Sequence, residues 1–483
     1  MHSSPISATP SKRQEANRPH NTYAREQTKR GHYVRHTNAS ANTTRRPRRA
    51  LVPHCRVCLV LCPVCSYLCF LLCLGFALVG AGSVKALNTK NALMQSSYAL
   101  LVSIGAFWTV GFGLTTQSQT VMMAATMSED ADAAAIGDMT KAAVVDNLYY
   151  ARFLFLWSFV NACCCVVASA VTSRISMLSL LLLMALTSAF TFPLPAYWIW
   201  GHAGWMSVRA HARYPVLDYA GGTVIHVVGG MTALTAAWIV GPRYDRFVFN
   251  SETQRMEDRK EPGHSVVFAV LGTFLLWFGW FGLNAGSTYG VTGELWQVAA
   301  LSSINSVLAA GAGSLAMTAW HIAFADVHNL WELLHGILCG LVAITSGCAL
   351  VDPWAAIVIG TLSILPYRIG LRALSWLRVD DVVDAFAVHA CCGAFGTIMT
   401  GLLASQSKLD MAYGADVVHL QIGRQVGVQI LAVCVIGLFA VGVTAALLLP
   451  LKYFGLVRVT REEEAVGLDG GMHGGYACQC THR

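Results

Sequence analysis

Apolar runs of about 20 residues, the length a helix needs to cross hydrocarbon, recur from residue 58 to residue 450 of this chain. Only 12% of its 483 residues are charged and 55% are hydrophobic, against roughly 25% charged in an average soluble domain. A soluble fold of this length would need far more polar surface, so the sequence describes an all-α polytopic membrane protein. Eleven candidate spans lie near 58–83, 94–117, 149–172, 177–201, 217–242, 264–288, 295–319, 330–350, 353–373, 382–404 and 425–450. They divide the chain into a basic N-terminal extension (1–56), an eleven-helix membrane domain (57–450) and a C-terminal tail (451–483).

Two of these spans share a polar spacing. Asp218 stands eight residues before His226, and Asp381 eight residues before His389, each time inside apolar sequence. An ionisable side chain at membrane depth is costly and normally faces a bundle interior or a cavity. Spans one to five and six to ten each end in a histidine-bearing helix. An odd number of spans per half inverts the second half, giving a five-plus-five inverted repeat with one extra C-terminal helix and a site near the midplane.

Lys and Arg set orientation. With the first span entering from outside, the inward loops and the tail hold most of the basic residues of the membrane domain, and the loop at 118–148 is acidic. This places the N-terminus outside and the C-terminus in the cytoplasm. The first 56 residues oppose the count, with 12 Lys and Arg against Glu15 and Glu26. They lack periodicity and read as disordered. An external tail carrying the sequons at Asn38 and Asn42, a transit peptide, or a misassigned start codon each account for them.

Six of the 16 cysteines fall at 55, 58, 62, 65, 69 and 73. That spacing is helical, and thiols within an apolar span pack as small hydrophobes. Zinc requires thiolates, which hydrocarbon disfavours. Cys55 and Cys58, beside Arg56, suit palmitoylation if that end is cytoplasmic. Two histidines without a third ligand make a poor metal site. No metal, cofactor, nucleic-acid partner or enzyme chemistry is expected, because no nucleophile or phosphate-cradling loop accompanies the histidines.

The segment Asp218-Tyr-Ala-Gly-Gly-Thr-Val-Ile-His226 closely resembles the signature of the ammonium transporter family (Amt, Mep and Rh proteins), nearest the Amt/Mep branch. Further segments agree in order: Phe278-Gly-Trp-Phe-Gly-Leu-Asn-Ala-Gly-Ser287, Asn305-Ser-Val-Leu-Ala-Ala310, Gly340-Leu-Val-Ala-Ile-Thr345 and Asp380-Asp-Val-Val-Asp-Ala-Phe-Ala-Val-His389. Glu464-Ala-Val-Gly-Leu-Asp469, His473-Gly474 and Tyr476 resemble the family's cytoplasmic tail.

The resemblance implies a homotrimer, in the plasma membrane and in contact with membrane lipid, whose subunits each conduct ammonium or ammonia through a hydrophobic pore. It implies a cytoplasmic regulator at the tail. His226 and His389 would be the paired pore imidazoles. Trp200 and Ser287 would form the external cation site, and Phe155 and Phe159 the mouth phenylalanines. A tryptophan face attracts a desolvated cation by ~2 kcal/mol, and a hydroxyl can accept the directed hydrogen bonds that distinguish ammonium from potassium. Asp218 would stabilise a cation electrostatically or cap its helix. Asp381 and Asp384 would cap the tenth helix and complement its dipole.

The chain departs from the pattern in places. Leu283 stands where a second gating phenylalanine is usual, His335-Gly336 replaces the eighth-helix Asn-Gly, and Thr172-Ser-Arg174 replaces Ala-Glu-Arg. The loop between Trp200 and Asp218 is long and holds two histidines and two arginines. Alternatives to cation uptake are a near-neutral ammonia channel, as in the Rh branch, and an ammonium sensor signalling through its tail.

Overall fold

The computed structural model describes residues 56–116, 139–210, 212–260, 263–325, 329–415 and 417–477, with the side chains of 56–60, 139–149 and 325 left out. The N-terminal sequons, Cys55, the Cys58 side chain and most of the acidic 118–148 loop lie outside the described residues. The described residues fall in one compact unit.

Among the described residues, ten helices are long and apolar enough to cross a membrane: Leu61–Ser83, Ala86–Thr116, Tyr150–Val171, Met177–Trp200, Gly222–Val240, Val266–Gly286, Leu295–Phe324, Pro353–Leu377, Phe386–Leu403 and Ile422–Tyr453. An eleventh apolar helix, Leu330–Ile344, falls between the seventh long helix and the eighth. Counted with it, these are the first to eleventh helices in chain order. The protein is thus an all-α polytopic membrane protein. One hairpin departs from the all-helical expectation: Phe247–Asn250 pairs antiparallel with Arg255–Asp258 in the connection after the fifth helix.

The span expected at 330–350 is shorter as a helix than its apolar run, because residues 345–350 turn instead of continuing. The side-chain amide of Asn305 donates to the carbonyls of Cys348 (2.8 Å) and Val351 (2.9 Å), satisfying backbone that the helix no longer pairs. Unwound backbone at membrane depth is tolerated only where protein supplies such partners.

The first helix packs along the sixth, and the fifth against the start of the tenth, so corresponding elements of the two halves meet. Small residues allow the backbones to approach closely. At Gly396 an added Cβ would collide with the Ala343 carbonyl oxygen, so nothing larger fits where the tenth helix crosses the eighth. Cys65, Cys69, Cys73 and the Cys163–Cys165 run are buried, as expected for packing residues.

A buried charge cluster ties the ends of the third, fifth and tenth helices together. Arg243 donates to both carboxylate oxygens of Asp380, from Nε at 2.7 Å and Nη2 at 2.9 Å. Arg174, fully buried, donates to the Asp380 carbonyl and, at 2.8 Å, to that of Gly241. The tail lies on the same side. Val459 donates to the Arg174 carbonyl (3.1 Å), Glu464 pairs with Arg458 (2.7 Å), and Asp469 accepts the Lys90 and Asn91 amides at the start of the second helix (2.9 and 2.8 Å).

Burial alone would raise the Asp380 pKa, but the Arg174 and Arg243 charges and the Arg243 hydrogen bonds outweigh it and hold the carboxyl well below the usual carboxylate range. An acid depressed on folding stabilises fully above its unfolded pKa, ~3.9, and loses that contribution as pH falls further. Asp380→Ala should therefore cost about 3–5 kcal/mol by leaving buried guanidinium groups unpaired. Thermal unfolding in detergent should register the loss at pH 7, with the gap to wild type narrowing below about pH 4.

Candidate functional site

Each histidine lies in a π-helical turn, Gly222–Val227 for His226 and Phe386–Cys391 for His389. A π-turn adds one residue to a helical turn and re-aims the side chains it carries. In the first, the His226 amide donates to the Gly221 carbonyl five residues back (3.2 Å). Gly221 enters that turn at φ +104°, a left-handed conformation that side chains resist. A Cβ there would also meet the Ile225 side chain at 2.6 Å and Trp200 at 3.3 Å.

The preceding aspartate holds the turn in place. Asp218 Oδ1 accepts the amides of Gly221 (2.9 Å) and Gly222 (2.8 Å), and Oδ2 those of Thr223 (2.8 Å) and Val224 (3.1 Å). Ser346, in the unwound stretch after the eighth helix, donates to Oδ1 at 3.1 Å. Trp200 donates its Nε1–H to the Asp218 carbonyl at 2.7 Å, so the same residue orients the indole. Asp381 repeats the device more sparely: its Oδ2 accepts the Phe386 amide at 2.8 Å, and its Oδ1 is buried without a hydrogen-bond partner.

The imidazoles meet between the halves. Nδ1 of His226 lies 3.2 Å from Nδ1 of His389, so one ring donates and the other accepts. The rings are nearly parallel, at 20° and 5.2 Å between centroids. Trp280 stacks on His226 (5.2 Å, 12°), with its indole donating to Thr345 at 3.0 Å, while Phe76 lies against His389 at 5.6 Å. Nε2 of His226 is buried and has no hydrogen-bond partner in the protein. The pair can therefore pass a hydrogen bond between rings and offer one further ring nitrogen to a small polar solute.

On the side opposite the tail, a cavity of about 60 Å³ is lined by Phe159, Trp200, Ser287, Asp218, Tyr289 and Tyr413, among others. That space suits one or two water-sized molecules. Ser287 donates its hydroxyl hydrogen to the Leu283 carbonyl (2.8 Å), which leaves oxygen lone pairs for an incoming donor. Phe159 packs edge-on against Trp200 at 6.0 Å. Phe155 is buried one layer behind, 4.6 Å from Phe159 and 5.4 Å from Tyr289, and does not line the cavity. Leu283 is likewise buried, one helical turn from Ser287, and lines no part of it.

Trp280, Phe76, Tyr289, Tyr413 and Ser346 were not singled out from the sequence. Trp280 lies inside the 278–287 segment that carries the family resemblance, which is the signal that could have found it. Tyr289 offered no such signal, because its left-handed φ of +53° emerges only from the fold. Two cations of the mouth, Arg152 and Arg209, approach its ring at 5.9 and 5.6 Å.

The two aspartates should respond differently to the same substitution. Asp218→Asn removes the charged acceptor from four amides and aims an NH2 group at two of them, costing about 3 kcal/mol or more at roughly 1.5–3 per charged hydrogen bond. Burial and the neighbouring Asp384 push the Asp381 carboxyl up to about 6, against the Phe386 amide bond. A raised acid favours the fold below its unfolded pKa, and that contribution is lost as pH rises through about 6. Asp381→Asn keeps one acceptor for Phe386 and should leave melting at pH 7 unchanged or raised. Equal losses in the two variants would contradict these cap geometries.

Residues 60–478 match the family model described as the Ammonium Transporter Family. Ammonium transporter Amt2 of Archaeoglobus fulgidus is 34% identical over 431 residues, 86% of each chain. Ammonium transporter 1 member 2 of Oryza sativa subsp. japonica is 32% identical over 428 residues, 82% of this chain and 81% of that one. Among solved structures, a protein titled Sensor Amt Protein superposes with a TM-score of 0.74 at 27% identity, covering 86% of this chain and 98% of its own. Saccharomyces cerevisiae Mep2 shares the fold, with a TM-score of 0.69 at 24% identity over 84% and 90% of the two chains. This integral membrane protein therefore belongs to the ammonium transporter family.

Proposed function

We propose that the chain moves ammonium or ammonia through a pore in each subunit, recognising the cation in the aromatic cavity and passing at least its nitrogen centre along the two histidines. The observation that carries this reading is the buried His226–His389 pair, 3.2 Å apart, with one ring nitrogen left without a protein partner. Trp200 and Ser287 supply a ring face and an oxygen lone pair to the cation. Phe159 closes the floor of that cavity, with Phe155 behind it. Asp218 acts as the anion behind the site, working through the turn and the indole it holds. Leu283 takes the place of an aromatic gate.

Subunits assemble as a homotrimer in the plasma membrane, surrounded by lipid, with the tail in the cytoplasm, where a regulator reaches it. The likeness to a protein titled as a sensor supports a second reading, in which the tail also signals. Uptake retained without residues 455–483, with signalling lost, would favour that one.

Expression in a host lacking its own ammonium uptake tests the main reading. Growth on low ammonium should be restored by the wild type, and the transport rate should fall about 100-fold or more in His226→Ala or His389→Ala, the lower end of what a positioned proton-transfer group contributes. Wild-type rate and selectivity in both variants would remove the paired-imidazole assignment. Trp200→Leu should weaken apparent affinity by roughly tenfold or more, the equivalent of a ~2 kcal/mol cation–π contact. Leu283→Phe should slow permeation. Current under an ammonium gradient separates cation transport from a neutral ammonia channel.

A further inference from the structure

A second cavity, of about 250 Å³, opens on the tail side of the histidine pair, and Val79, Lys260, Glu332, His335, Val382 and Asp384 are among its walls. It adjoins the pore through shared helices. Val79 is one turn from Phe76, the ring resting on His389, and Asp384 lies five residues before His389. The Lys260 side chain is 45% exposed, so the mouth is open to solvent.

His335 is the chain's own feature at this mouth, since it occupies a position where the related pattern has asparagine. Its ring is fixed on two sides. Nδ1 lies 2.8 Å from the Trp331 carbonyl, which can only accept, so Nδ1 carries hydrogen. Tyr367 stacks on the ring at 5.4 Å. Nε2 then carries the ring's lone pair, 3.7 Å from Asp384 Oδ2. Asp384 is itself held by Lys260, whose Nζ is 2.6 Å from both carboxylate oxygens, and by the Tyr367 hydroxyl at 3.4 Å.

The remaining charged and titratable groups nearby are engaged elsewhere. Glu332, on the same helix, pairs with Arg368 of the ninth helix (3.0 Å) and faces His321 of the seventh (3.4 Å). His264, before the sixth helix, is turned toward the Val84 carbonyl (3.0 Å) and Thr89 (3.3 Å). Asp381, before the tenth, holds the Phe386 amide. The first helix contributes only Val79 and Ser83.

We propose that His335 is a third proton-handling imidazole of the pore, exchanging a proton with nitrogen at the tail-side mouth. The inference rests on the transport reading above. Ammonia arriving from His226 and His389 takes the proton from Nε2 of the His335 imidazolium. A new N–H bond makes ammonium, and the imidazole is left neutral with its lone pair on Nε2. Solvent water in the open mouth returns the proton. Asp384 stands beside Nε2 to balance the imidazolium, and flux the other way reverses the steps. The pH on the tail side thereby sets the rate.

The test uses the purified full-length protein in vesicles, with ammonium outside and tail-side pH set between about 5 and 8, the range in which imidazole ordinarily titrates. Wild-type flux should change by about tenfold or more across that range, because an imidazole passes between its charged and neutral forms within it. His335→Asn keeps a donor for the Trp331 carbonyl and should flatten the dependence to within about twofold. Half-saturating external ammonium should stay unchanged in that variant. Trp200→Leu should do the reverse, shifting half-saturation while keeping the tail-side pH response.

A His335→Asn variant that follows the wild-type pH curve overturns the proposal. Histidine ring 15N spectra give a second readout, in which the resonance lost in His335→Asn should titrate in the wild type. A ring that stays in one protonation state across the range overturns the proposal even where flux varies. Failure of the wild type to move ammonium at any pH would instead sink the transport reading, and the proton relay with it.

Discussion

Hydrocarbon offers no water to a backbone amide, so every irregularity in a membrane helix must be satisfied by the protein itself. Placing a histidine at mid-depth in this chain requires such an irregularity, a π-turn, and the carboxylate of Asp218 makes it tolerable. Its two oxygens take four amides and one hydroxyl between 2.8 and 3.1 Å. Removing the freed amides from competition fixes the turn, the turn fixes His226, and the Asp218 carbonyl fixes Trp200. Cavity and imidazole pair thus hang on one residue, its carboxylate holding the turn and its carbonyl the indole.

The inverted repeat uses this device twice from opposite faces. His226 and His389 are 163 positions apart, and the same offset carries Asp218 onto Asp381 and Thr223 onto Phe386, each carboxylate accepting the amide five residues on. Eight residues of helix rise ~12 Å, a little under half of a ~30 Å hydrocarbon layer. Two helices entering from opposite sides with that spacing bring their histidines together at the centre. The copies are unequal in strength. Asp218 holds four amides beside an unwound stretch, whereas Asp381 holds one and leaves an oxygen without a partner, its rigidity coming from the Asp380 cluster next to it.

Much of this was legible because membrane depth makes polar residues conspicuous. The apolar runs gave the helices, and the matched Asp-to-His spacing gave the residues that the fold brings into contact. Where local pattern misleads, the cause is a contact between residues distant in sequence or a backbone conformation set by the fold. Residues 345–350 read as helix from their apolarity, yet they turn, and Asn305, some forty positions away, satisfies the Cys348 and Val351 carbonyls there. Phe155 and Phe159 are equivalent by helical spacing, but the packing of Tyr289 against Phe155 leaves only Phe159 on the cavity wall. Tyr289 owes its place to a left-handed φ that no local pattern announces. The sequence leaves Asp218 two roles, cation stabiliser or helix cap, and the four amides converging on its carboxylate establish the cap.

That capping role bears on how a cation would be handled. A free carboxylate in a 60 Å³ aromatic cavity would bind ammonium as an ion pair in a low-dielectric setting, where attraction is strong and release slow. Here the carboxylate oxygens are already occupied by backbone donors, so in the proposed reading the cation meets a ring face and the lone pairs of Ser287. Its attraction to Asp218 then acts at a distance, through a charge already partly balanced by amide dipoles. Conduction needs a site favourable enough to enter and weak enough to leave. Spending the anion on the helix instead of on the substrate meets both demands, and it explains why the residue that most constrains the fold also lies nearest the cation site.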